Sequence, residues 1–195
     1  MRAEEERPGG EGPQERGAPG DADARVGEAR AAVADACALL NDAGIEPDPL
    51  AAYVPERRIL GVFPREARLR REGDGWRLGV LVLSTTGDVL IGARTTRARR
   101  PERVGYAAES ARERDVLRHA AYRARVPEGV TVHVDGTAVD LEDLAASGGG
   151  YEPLALRRDG IVVRWAPAAP LHAALPLDTY LAERAQLLAR PPEHA

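Results

Sequence analysis

The chain has 195 residues and a formal charge of −4, and each of its 27 basic residues is an arginine. The absence of lysine excludes a Schiff-base lysine, a Ser-x-x-Lys nucleophile and a P-loop, and a single cysteine, Cys37, excludes an intrachain disulfide and a cysteine-based metal cluster. No apolar run is long enough to cross a bilayer and the first residues are polar, so the sequence reads as one soluble, cytoplasmic domain with a polar tail.

Residues 1–23 contain no large apolar residue after Met1 and are dense in Gly, Pro, Glu and Arg, which predicts a disordered tail ahead of a domain spanning 24–195. From Ala24 the pattern turns helical, with Asp23 as N-cap, a stripe of Val26, Ala29, Val33, Cys37 and Leu40, and Gly44 as terminator. Cys37 lies on that stripe, which suits a small buried hydrophobe better than a nucleophile. Asp48-Pro49 predicts an N-cap and first helical residue, opening a short turn through Val54. Residues 56–66 look irregular, anchored by Ile59, Leu60, Val62 and Phe63. A short strand over 67–71 is expected to pair with the next strand through Gly73-Asp74-Gly75, with Arg68, Arg70 and Arg71 along an exposed edge.

Residues 76–97 carry the strongest strand signal. Trp76, Leu78, Val80 and Val82 alternate along one arm, Val89, Ile91, Ala93 and Thr95 along the other, and Ser84-Thr85-Thr86-Gly87-Asp88 supplies the turn. Two turn registers, a three-residue loop or a Thr86-Gly87 loop, remain open. A basic connection with Arg97, Arg99, Arg100 and Arg103 leads to a helix near 107–125 with Leu117, Ala120, Ala121 and Ala124 at core spacing, and Ser110-Ala-Arg-Glu113 has capping-box spacing. A strand over 131–135 is expected to turn at Asp135-Gly136 into a second near 138–141. One helical turn at 141–146, a hairpin of 153–157 with 161–165, and a final helix from Asp178 complete the chain. The expectation is an α+β fold, a mainly antiparallel sheet of about five to seven strands packed by three main helices.

The hairpin sequence GVLVLSTTGDVLIGAR resembles the opening strands of a Nudix hydrolase, which implies metal-dependent hydrolysis of a nucleoside diphosphate derivative. The helix that would carry the metal retains Arg112-Glu113, but Val116 and Leu117 stand where that family has paired glutamates. A wider likeness, from VPERRILG (54–61), WRLGVLVL (76–83), AES-ARER (108–114), PEGVTVHV (127–134), VRWAP (163–167) and PLDTYLAERAQLL (176–188), is to a group of small uncharacterised bacterial proteins. Some of these carry a glutaminase label. The resemblance brings no catalytic residue, since the serine- and threonine-dependent routes rely on lysine and a cysteine-dependent one needs an activated thiol.

His133 and Asp135, two apart on one strand, have the geometry of half a metal site, but no further imidazole stands at a characteristic spacing and a surface hydrogen bond accounts for them better. Ser147 before three glycines reads as a connector. The feature that stands out is an arginine constellation. Arg77 and Gly79 share one face of the first arm, Arg94 and Thr96 one face of the second, and Arg97, Arg99 and Arg100 follow. Guanidinium forks suit carboxylates and phosphates. The middle of the chain, 57–125, carries seventeen arginines against eight acids while both flanks are acidic, so pairing within the fold competes with an anion site. The resulting expectation is a non-enzymatic interaction or accessory protein with an unidentified protein partner, no cofactor and no membrane contact. The alternative is binding of an anion, nucleotide or RNA through Arg77, Gly79, Arg94, Thr96, Arg97, Arg99 and Arg100. Nucleic acid is disfavoured by an aromatic content of 4%, and an amidohydrolase is a distant third.

Overall fold

The computed structural model describes residues 19–59, 63–100, 109–166 and 170–192, which form an α+β fold whose main sheet is mostly antiparallel. Helix α1 (Pro19–Asp42) begins earlier than expected, so residues 19–23, assigned to the tail, are helical and Asp23 lies inside the helix. Proline at the first position, Asp21 in the first turn, and an Asp21–Arg25 pair at 3.8 Å all favour helix there. Residues 1–18 lie outside the described residues.

Strand β1 (Asp48–Val54) replaces the helical turn expected after Asp48-Pro49. It pairs antiparallel with β4 (Arg68–Leu78) and parallel with β8 (Thr131–Val134), and the parallel pairing begins only at Leu50, beyond the proline that lacks a donor. Two-sided pairing has overridden the local capping signal. The segment expected to be irregular forms a small hairpin, β2 (Arg57–Ile59) with β3 (Phe63–Arg65).

Strand β4 runs unbroken through Gly73-Asp74-Gly75, where a turn was expected. A bulge opposite Leu50 and Ala51 adds one residue and switches the alternation. Leu69 before it and Trp76 and Leu78 after it therefore all face the helices. The chain then reverses at Gly79-Val80 into β5 (Leu81–Ser84), with Leu78 opposite Leu81, so the expected long first arm is two strands. Strand β5 pairs with β6 (Val89–Ile91) through the 84–88 turn, in which Gly87 donates to Ser84 O at 3.1 Å and Ser84 N to Asp88 O at 2.9 Å.

The expected second arm also divides, at Gly92-Ala93, into β6 and β7 (Arg94–Arg97), and β8 divides at Asp135-Gly136 from β9 (Thr137–Ala138). Asp135-Gly136 is thus a bend and not a hairpin turn. β6 pairs with β9 and β7 with β8 in one continuing register, Ile91 opposite Thr137 and Arg94 opposite Val134. In the order β7-β8-β1-β4-β5-β6-β9 the two ends are continuations of strands at the other end. The sheet is in effect a small closed barrel, which removes most free edges.

Outside the barrel lie two apolar layers. In the larger, α1, α3 (Leu141–Ser147) and α4 (Leu177–Ala189) pack between β4–β6 and a small sheet of β10 (Leu154–Arg157), β11 (Gly160–Val163) and β12 (Leu175–Pro176), around Leu40, Trp76, Leu81, Leu83, Val163 and Leu181. Trp76 is 2% exposed and its indole N–H donates to Ile45 O at 2.8 Å, tying the exit of α1 to the sheet. Full burial of such a ring stabilises by about 3 kcal/mol. In the second layer α2 (Glu109–Arg123) sets Ala120 and Ala121 against Ala51, Leu69, Val132 and Val134. The capping-box side chains fall outside the described side chains. Among the described residues no helix is long and apolar enough to cross a membrane.

Candidate functional site

The alternation of β8 sends Val132 and Val134 outward to α2 and His133 into the barrel. His133 is 2% exposed, contrary to the surface position expected for it. It does not share a face with Asp135, because the strand ends at Val134 and Asp135 takes a left-handed conformation with φ 57°. Asp135 Oδ1 accepts from Tyr53 N at 2.7 Å, and Oδ2 pairs with Arg94. The half metal site is therefore not formed, and among the described residues no cluster of three His, Cys, Asp or Glu side chains could hold a metal ion.

On the same face of the sheet as His133, the exposed Arg77, from β4, crosses to β7 and donates to Ala93 O at 3.1 Å and Thr95 Oγ1 at 2.8 Å. Thr95 Oγ1 lies 3.1 Å from His133 Nδ1, and His133 Nε2 lies 3.2 Å from Asp48 Oδ2. The last contact is out of line for a hydrogen bond, which leaves Nε2 without a hydrogen-bond partner among the described residues. Burial pushes the His133 pKa below its ordinary value, Asp48 opposes that shift and Arg77 adds to it. The ring is accordingly neutral at pH 7. Hydroxyl, imidazole and carboxylate stand in the order of a nucleophile, a base and its orienting group. Thr95 is already engaged by Arg77, however, and its cross-strand pairing with His133 makes the same contact a brace of the barrel.

Next to His133 lies a cavity of about 150 Å³ at one end of the barrel, walled by Leu50, Gly73, Ser84, Leu90 and Ala93 and carrying Glu72, Asp74 and Asp88 at its rim. Its charged groups are carboxylates. The turn at its mouth is held by Thr85 N donating to Asp74 O at 2.9 Å and by the Ser84 and Thr86 hydroxyls on Asp88 Oδ2, at 2.9 and 2.7 Å.

The arginine constellation is dispersed. Arg77, itself exposed, bonds across to Ala93 and Thr95. Gly79 has left the strand, occupies a left-handed turn against Tyr180 and shares no face with Arg77. Arg94 pairs with Asp135 and stands 6.0 Å from the Tyr53 ring centroid. Thr96 is 9% exposed and faces the α2 layer opposite Val132. Arg97, Arg99 and Arg100 are exposed along the outgoing connection, where Arg99 N bonds Arg118 O and Arg100 N bonds a Glu128 carboxylate oxygen. Of the seven residues only Arg77 touches the His133 network. Sequence reasoning missed the cavity because its walls come from five strands; the one local signal was His133 between two outward valines. Cys37 sits at the edge of the α1 stripe, its thiol donating to Ser84 O at 3.7 Å and its pKa raised by burial.

Compared with protein-family models, with curated proteins and with solved structures, the chain matches none.

Proposed function

We propose that the chain is a non-enzymatic interaction or accessory protein. The observation that carries this reading is the use of its arginines within the fold. Arg77 braces the barrel, Arg94 pairs with Asp135, Arg71 with Asp74 at 2.5 Å and Arg123 with Glu66 at 3.4 Å. An anion site requires guanidinium groups converging on a concavity, whereas the cavity beside His133 is rimmed by acids. The alternative, binding of an anion, nucleotide or RNA, has in its favour the exposed run Arg97, Arg99 and Arg100.

Titration with inorganic pyrophosphate and a short single-stranded RNA at low and high salt separates the two, using the wild-type chain and the Arg94→Ala and Arg97→Ala variants. The accessory reading expects no specific binding and no difference among the three. Salt-dependent binding lost in the variants overturns it. Release of ammonia from glutamine by the purified chain would overturn it in favour of an amidohydrolase.

A further inference from the structure

We propose that the outer face of α4 binds a second copy of this chain, the two α4 helices pairing antiparallel about a two-fold axis between Gln186 and Leu187. The helix has two faces. Leu177, Tyr180, Leu181 and Ala185 are buried in the larger layer, while Glu183, Gln186, Leu187 and Arg190 are exposed and recur at the spacing of one continuous stripe. Leu187 is 49% exposed. With Leu39 and Ala43 of α1 this stripe lines an open groove of about 1,010 Å³, with Asp42 at its rim.

Charge and register select the occupant. Among the described residues neither Glu183 nor Arg190 has an ion-pair partner. In an antiparallel pair about a two-fold axis, positions equally far on either side of the axis face each other. Glu183 and Arg190 are equally far from an axis between Gln186 and Leu187, so Glu183 of each copy faces the partner's Arg190, twice over. The four residues of the stripe stand at i, i+3, i+4 and i+7, the spacing of a hole that takes a knob from a facing helix. The partner's Leu187 is that knob, and the two ion pairs flank the leucines as a polar rim flanks an apolar centre. A partner of one charge sign would satisfy one end of the stripe and repel the other, whereas a second copy satisfies both. Two helix faces of this length make a small interface, so association should be weak and sensitive to salt.

The test is sedimentation equilibrium of the full chain at concentrations up to about 1 mM, at low and high salt, on wild type, Glu183→Arg, Arg190→Glu and an equimolar mixture of the two variants. The expected result for wild type is a concentration-dependent dimer that salt weakens. Symmetry repeats each substitution, so either variant alone turns two attractions into two repulsions and should raise the dissociation constant about tenfold. In the mixture each facing pair is again of opposite sign, and a dimer with one copy of each variant should return to the wild-type affinity. A wild-type chain that stays monomeric throughout overturns the proposal. So does a dimer indifferent to both variants, which uses another surface, or one that the mixture fails to restore, which has another register. Should a charge reversal fail to fold, Leu187→Ala decides, since removal of the central knob should weaken the dimer by a similar factor and an unchanged dimer would contradict the proposal. Loss of this proposal leaves the accessory reading standing, because that reading does not depend on self-association.

Discussion

The hydroxyl of Tyr180 occupies the space that a side chain on Gly79 would need. It accepts from Val80 N at 2.9 Å and donates to Leu78 O at 3.1 Å, so helix α4 closes the tight turn between β4 and β5. A Cβ on Gly79 would stand 2.3 Å from that oxygen, and the backbone there has φ +63°. Gly79→Ala therefore combines left-handed strain with displacement of a buried hydroxyl, and should destabilise by about 2–3 kcal/mol. Tyr180→Phe, which keeps the ring and loses both bonds, should cost about 1–2 kcal/mol. Urea denaturation of the two variants checks the order. Equal stability of Gly79→Ala and wild type would show that the turn does not depend on this contact.

Asp135 and Arg94 form a visible ion pair, but the two residues should not be equivalent. The pair is half exposed, with side-chain accessibilities of 53% for Arg94 and 39% for Asp135, so Arg94→Ala should cost only about 0.5 kcal/mol. Asp135 also accepts from Tyr53 N and holds the left-handed bend where β8 passes into β9. Asp135→Ala should cost about 1.5–2 kcal/mol, and Asp135→Asn, which tolerates that conformation and keeps an acceptor, should recover most of it. Thermal unfolding of the three variants is the measurement, and a larger loss for Arg94→Ala than for Asp135→Ala would contradict the account.

His133 makes stability depend on pH in a fixed direction. Its folded pKa lies below the value of the unfolded chain, about 6.5. The unfolded state therefore binds the proton more readily. This contribution is fully present above pH 6.5, and it is lost as pH falls from there toward the folded pKa, at a slope of up to about 1.4 kcal/mol per pH unit. The difference in unfolding free energy between wild type and His133→Gln, measured from pH 7.5 to 5, should shrink across that window. A difference that grows toward acid pH would mean that His133 is charged in the fold.

The helices were legible in the sequence because their signals are local. Val26, Ala29, Val33 and Leu40 recur at helical spacing and are buried, as are Ala120, Ala121, Leu177, Tyr180 and Leu181. The hairpin of β10 and β11 was legible for the same reason, since Asp159-Gly160 lies between two apolar runs. What failed were boundaries decided by distant partners. Val80 continues an alternating apolar pattern, yet the chain turns there because Tyr180, a hundred residues on, caps the turn. Pro49 carries a helix-start signal, but β4 and β8 flank that segment and make it a strand. Asp135-Gly136 has hairpin-turn chemistry, and the same residues serve a bend when the strand must follow a closing barrel. The cavity was invisible because Leu50, Gly73, Ser84, Leu90 and His133, which line it, come from five different strands.

Among the arginines near the central strands Arg77 is the decisive one, because it alone joins the His133 network. Arg77→Ala should be measured twice on one preparation, by urea denaturation and by pyrophosphate titration at low salt. Loss of the bonds to Ala93 O and Thr95 Oγ1 should reduce stability by about 1–2 kcal/mol, with pyrophosphate binding unchanged from wild type. Unchanged stability together with loss of a salt-dependent pyrophosphate site would contradict the account and restore the anion-binding reading.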